Sequence, residues 1–129
     1  MMHKLKQEIV SSVVGQKTET EVDGVKRCYR FGADFIGFAG HFPGYPILPA
    51  FVQLLAAQTL IEEHSGRHLE LATVEKAKFH LPLQPEQEIE VAFRQRQVGG
   101  RRVYDARLGV VEGLASVFRL AFVEKGESQ

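Results

Sequence analysis

The stretch from Pro49 to about His64 constrains the fold more than any other part of this chain. It carries Phe51, Val52, Leu54, Leu55, Ala56, Leu60 and Ile61, so apolar side chains point nearly all round a helix. A helix apolar on most sides must be buried on most sides. Proline suits its first turn, because the N–H it lacks has no intrahelical partner there. Gly66, after Ser65, has the character of a C-cap. The remaining segments read as strands. Residues 8–22, with Ile9, Val10, Val13, Val14, Thr18, Thr20 and Val22, predict a first strand interrupted at Gly15. Asp23-Gly24 predicts a tight turn, and Val25 to Phe31 a returning strand. Leu69 to Leu81 and Glu88 to Val98 follow. Gly99-Gly100 separates the latter from Arg101 to Val111, and Glu112-Gly113 separates that from Leu114 to Glu124. Gly-containing two-residue connections between alternating runs are hairpin signals. The pattern is α+β: one apolar helix and antiparallel strands able to curl round it. Its expected core includes Phe51, Val52, Leu55, Ala56, Val91, Phe93, Phe118 and Leu120.

Composition narrows the function. A length of 129 residues suits a single domain, 1–129, and no repeat or linker divides it. Sixteen Lys plus Arg balance sixteen Asp plus Glu, so no global field draws nucleic acid or an anionic membrane. Arg94, Arg96, Arg101 and Arg102 are close in sequence and could meet an acidic partner; solvated strand-face residues are the simpler reading. The single cysteine, Cys28, excludes an intrachain disulfide, fits a reducing compartment and reads as a structural thiol. No apolar run is long enough to span a bilayer, and residues 1–8 have no signal-peptide core, so a cytoplasmic location is expected. His64 and His68 straddle Gly66, share no helical face and make weak metal ligands. No nucleotide fingerprint, metal site or other cofactor motif is present.

The chemistry concentrates in Gly40-His41-Phe42-Pro43-Gly44-Tyr45-Pro46-Ile47-Leu48-Pro49, the end of a Gly- and Pro-rich loop that also holds Phe35 and Phe38. A loop so rich in aromatics is expected to fold onto a core or a ligand. Prolines stiffen the backbone behind His41, and glycines permit positive φ or close approach. The helix that follows presents unpaired N–H groups and a positive dipole end. An imidazole beside backbone donors at the mouth of an apolar groove meets the needs of proton abstraction next to a thioester carbonyl. The alternative is that His41 only braces the loop.

This stretch resembles the His-Phe-Pro-Gly-x-Pro-(Ile/Val)-(Met/Leu)-Pro-Gly signature of the 3-hydroxyacyl-carrier-protein dehydratases. A second block, Val74-Glu75-Lys76-Ala77-Lys78-Phe79 with Pro82, Pro85 and Glu88 to Val91, is similar to that family's next strand. Pro49 to Leu54 also resembles the Pro-x-x-x-Gln-Leu of a dehydratase-like branch associated with aryl-polyene synthesis. The resemblance runs over roughly residues 30–124 and implies a hotdog fold, one long central helix wrapped by a curved antiparallel sheet. It also implies His41 as catalytic base and the Gly44 N–H as a donor to the thioester oxygen, with Phe42, Pro49, Leu55 and Gln58 against the substrate. By the same resemblance the substrate is an acyl carrier protein or CoA thioester of fatty acid or polyketide and polyene type synthesis. The chain is then expected to form a homodimer or higher homo-oligomer with sites between subunits.

One departure matters. The family's helix carries Glu or Asp fourteen residues after the His, where this chain has Leu55. A leucine can neither protonate a departing hydroxyl nor hold the resulting water. Gln58 shares the face of Leu55 and is the better substitute; Gln53 points about 200° away, and Glu62 and Glu63 lie about 10 Å further along. Asp34 reads as a turn or capping residue. Ala50 replaces the last motif glycine. Two function classes stay open: a dehydratase-like lyase completed by water, Gln58 or another acid, and a non-catalytic acyl-binding protein or partner subunit. A thioesterase shares the fold, but such enzymes generally use a carboxylate to activate water, and no acid stands at the obvious helix position.

Overall fold

A computed structural model of the chain describes residues 2–38, 44 and 46–123. Two helices, α1 (Met2–Ser11) and α2 (Ala50–Ser65), accompany six strands: β1 (Val13–Thr20), β2 (Gly24–Arg30), β3 (Leu71–Phe79), β4 (Glu88–Val98), β5 (Arg101–Val110) and β6 (Gly113–Phe122). The strands form one antiparallel sheet in the order β1-β2-β4-β5-β6-β3. This is the α+β hotdog architecture, with α2 packed against β2, β4 and β5.

Alternation builds the sheet's inner face. Val25 pairs with Phe93, Phe93 with Ala106 and Ala106 with Phe118, one buried apolar residue per strand. Gly99 and Gly100 turn β4 into β5 with φ of 58° and 76°, the two positive angles of a type I′ hairpin. Gly24 is required at the head of β2. Its φ is 78°, and a Cβ there would lie 2.3 Å from the Phe93 carbonyl oxygen. The expected meander holds for β4, β5 and β6, but β3 closes on β6 instead of continuing into β4. A bulge interrupts β3 between Glu75 and Lys78, with Lys76 at φ 55°.

Helix α2 starts at Pro49 and ends at Gly66, whose φ of 73° makes the left-handed cap foreseen from the sequence. Ala56, Ala57, Leu60 and Ile61 are fully buried, as are Leu108 and Leu120 of the sheet. Burying each leucine or isoleucine contributes about 1.5–3 kcal/mol relative to exposure.

Two expectations are corrected. Residues 8–11 are helical, not the start of a strand. Leu5 and Ile9, one turn apart, are buried as a stripe, while Lys4, Lys6, Gln7 and Glu8 favour helix and face outward or half outward. Lys6 pairs with Glu62 of α2 at 2.7 Å, so α1 covers the side of α2 that the sheet leaves open. Phe51 is not in the core but 53% exposed. Val52, Leu55, Ala56, Val91, Phe93, Phe118 and Leu120 are buried as expected.

Candidate functional site

His41 and Phe42 lie outside the described residues, between Phe38 and Gly44. On the upstream side, Tyr29, Phe31, Phe35 and Phe38 form a continuous run of stacked and edge-on rings with centroids 6.1, 4.5 and 5.8 Å apart. All four are buried, so the described part of the aromatic loop, with Phe35 and Phe38, folds onto the core. A single 3₁₀ turn, Ile36–Phe38, ends this run, and its Ile36 N–H donates to the Glu8 carboxylate of α1 at 3.1 Å.

On the downstream side, Gly44 is exposed in a turn at φ 82°, and a Cβ there would meet nothing within 4 Å. Leu48 is buried, and its N–H donates to the Leu83 carbonyl at 2.7 Å. The two stretches that carry the family resemblance therefore meet in space. Pro49 caps α2 at φ −64° and offers no side-chain cap; its carbonyl accepts from Val52 and Gln53 at 3.0 and 3.1 Å. The first N–H groups of α2, at Ala50 and Phe51, have no intrahelical acceptor. Among the described residues no side chain caps them, and the positive end of the helix lies at the end of the loop.

Leu55 is 5% exposed. Helical spacing puts it on the face opposite Gln53 and in line with Glu62, the side that α1 covers. Gln58 donates from its amide to the Glu62 carboxylate at 3.3 Å and to the Leu69 carbonyl at 3.0 Å. Its hydrogen bonds are committed toward the C-terminal half of the helix. Gln53, which sequence reasoning set aside, is buried. Its amide donates to the Leu48 carbonyl at 3.0 Å and accepts from the Ser116 hydroxyl at 2.7 Å. A partner 63 positions away leaves no local signal of this contact.

The other candidates are structural. Arg96 and Arg119 both reach Asp105, at 3.3 and 2.7 Å, and Arg101 pairs with Glu75 at 3.1 Å. The Arg119 guanidinium holds the Asp105 carboxyl below its usual range, against the effect of burial. Arg94 donates to the Glu21 carbonyl at 3.1 Å. The Cys28 thiol is pushed up by burial and then by Glu88 and Glu90, which makes it a poor nucleophile. Burial raises the Tyr29 phenol to about 12. Asp34 is exposed. Among the described residues no group of three or more His, Cys, Asp or Glu could hold a metal ion, and no helix is long and apolar enough to cross a membrane.

One long helix packed against a six-stranded antiparallel sheet in the order β1-β2-β4-β5-β6-β3 makes this a hotdog protein. Within that class the chain belongs to the ApeI-like family, described as ApeI dehydratase, which matches residues 16–111. It is 34% identical over 91 residues to a 3-hydroxyacyl-[acyl-carrier-protein] dehydratase FabZ of Erythrobacter litoralis. It is 31% identical over 90 residues to a FabZ of Alkalilimnicola ehrlichii. Each match takes in 61% of this chain and 58% of the relative, so the chain spans less than two thirds of these relatives' length. Among solved structures, the dehydratase heterocomplex ApeI:P from Xenorhabdus doucetiae is similar at a TM-score of 0.68 and 17% identity, over 84% of this chain and 95% of that one. The E. coli PaaI protein from the phenylacetic acid degradation operon is similar at 0.62 and 13% identity, over 94% and 90%. Proteins of the thioesterase superfamily share the fold as well.

Proposed function

We propose that the chain acts on 3-hydroxyacyl thioesters, of an acyl carrier protein or of CoA, as a dehydratase-like lyase. The thioester oxygen accepts from the Gly44 N–H and rests near the positive end of α2, which stabilises the enolate that forms when C2 loses its proton. His41 takes that proton. The electron pair left on C2 becomes the C2–C3 double bond, the C3–O bond breaks, and the hydroxyl leaves as water by taking the proton back from the His41 imidazolium, directly or through a water, which restores the base. The observation that carries this reading is the Gly44 turn, whose positive φ lies six residues before the first residue of α2, a helix with no side-chain cap. Phe42, Pro49 and Leu55 belong to the acyl-facing side of the site. Incubation with 3-hydroxyacyl thioesters, followed by detection of the 2-enoyl thioester, tests the proposal. Steady enoyl formation is expected, and its absence at high protein concentration refutes it.

A second reading has its own observation. Leu55 is buried and apolar where the family carries an acid, and the Gln58 amide is engaged elsewhere. Such a site binds an acyl thioester without turning it over, as a partner subunit. Thioester binding without enoyl product decides for it.

The reading includes a dimer. Strand β3 lies at a sheet edge and is exposed along almost its whole length, with Leu71, Val74 and Phe79 among its exposed apolar residues. An unpaired apolar edge is a template for a second strand. Two copies joined through β3 bury this edge and continue the sheet. Val74→Lys is expected to weaken the dimer by on the order of 100-fold, as a desolvated charge at an interface centre does. Sedimentation of the variant as an unchanged dimer at micromolar concentration refutes this pairing.

A further inference from the structure

We infer that Gln53 is a positioning residue for the loop that leads from Gly44 to α2, acting through Leu48 and Ser116. The catalytic half of this inference rests on the function proposed above; the structural half does not. Gln53 is 4% exposed and Ser116 0%, in a core otherwise built of Ala56, Ala57, Leu60, Leu108 and their like. Buried polar groups in such a setting cost free energy unless fully paired, and even paired they add little net stability over apolar residues of similar shape. A leucine and an alanine would fill these positions, so the pair is better explained by direction than by stability.

The direction is specific. The Leu48 carbonyl only accepts, so the Gln53 amide nitrogen must face it, at 3.0 Å. The amide oxygen then faces the Ser116 hydroxyl, at 2.7 Å. One planar side chain thereby ties β6, the first turn of α2 and residue 48 together. The Leu48 N–H is separately held by Leu83, so both backbone groups of residue 48 are fixed. The Leu48 carbonyl shares its peptide plane with the Pro49 nitrogen, and proline locks the next φ. Holding that oxygen therefore sets the direction in which α2 begins, and with it the aim of the Ala50 and Phe51 N–H groups, which have no acceptor within the helix. Gln53 touches no substrate; it orients what does.

The test compares the wild type with Gln53→Leu/Ser116→Ala, which removes both polar groups of the pair and shortens no apolar contact. The thermal unfolding temperature is expected to fall by about 3–10 °C, because the exchange leaves the Leu48 carbonyl without its amide donor. Amide hydrogen exchange at Ile47 and Leu48 is expected to rise about tenfold, as local opening becomes easier. With 3-hydroxyacyl thioester as substrate, kcat is expected to fall about 10- to 100-fold while KM moves less than about threefold, the mark of misaimed groups rather than lost binding. A merely structural pair lowers unfolding temperature and leaves this split unmoved. Unchanged exchange at Leu48, or unchanged kcat in a protein that turns over, overturns the inference. A wild type that forms no enoyl product refutes the dehydratase reading alone, and the exchange comparison then decides the clamp. Should the double variant not fold, Ser116→Ala, which frees only the amide oxygen, carries the same comparison.

Discussion

His41→Ala is expected to lower enoyl-thioester formation by about 10²–10⁴-fold with little change in thermal stability. The size follows from the role proposed for the imidazole. The C2 proton of a thioester is weakly acidic, and oxygen-side stabilisation by Gly44 and the α2 terminus acts only if a base removes that proton. Residual activity would come from the backbone donors and from binding, which persist without the base. Stability should change little because the segment is anchored from both sides by groups that do not involve His41. Upstream these are the buried Phe35 and Phe38 and the Glu8 bond to Ile36; downstream they are the bonds of Leu48 to Leu83 and Gln53. The measurement is the initial rate of enoyl formation at saturating thioester, alongside thermal unfolding. A variant as active as wild type removes His41 from the chemistry.

Leu55→Glu is expected to act in the opposite direction, raising turnover by about 10²–10⁴-fold, the typical contribution of a positioned general acid. Leu55 stands at the helical position of the acid in the family, buried on the face of α2 turned away from the sheet. Burial disfavours the charged form, so a carboxyl placed there has its pKa raised and holds a proton near neutral pH. That is the state needed to protonate a departing hydroxyl. The cost is replacement of a packed leucine by a desolvated polar group, expected to lower stability by about 1–3 kcal/mol. The sign with pH follows. The folded-state pKa of the new group lies above its unfolded value, so this cost is smallest below the unfolded pKa. It grows as pH rises toward the folded pKa. Turnover compared with wild type, with unfolding followed at two pH values, checks both parts. A folded variant with unaltered turnover would show that the missing acid is not what limits this protein. A large gain over a silent wild type would mark the natural chain as an acyl-binding relative.

The architecture was legible because its signals are local. Glycine pairs divide alternating runs into hairpins, and a helix apolar all round admits only a buried place. The departure at Leu55 was legible because the motif sets a fixed count of residues after His41, and that count falls inside the helix. Helix α1 was not, since Ile9 and Val10 are β-branched and only Leu5 and Ile9 mark the buried stripe. The exposure of Phe51 was not, because an apolar residue in the first turn carries no sign of which neighbour covers it. The Gln53–Ser116 contact was hidden for a different reason. A polar residue inside an apolar helix can be read as misplaced, solvated or paired, and only the three-dimensional path of β6 selects the last.

Helix α1 also bears on how the protein is handled. It lies over the side of α2 that holds Leu55 and Glu62, with Lys6 on Glu62 and Glu8 on the backbone before the motif loop. An affinity tag or reporter joined ahead of Met2 is therefore attached to the cover of the candidate site, whereas one inserted at Gly99-Gly100 sits on a hairpin tip between β4 and β5. Labels meant to leave the proposed acyl chemistry undisturbed belong at the second position.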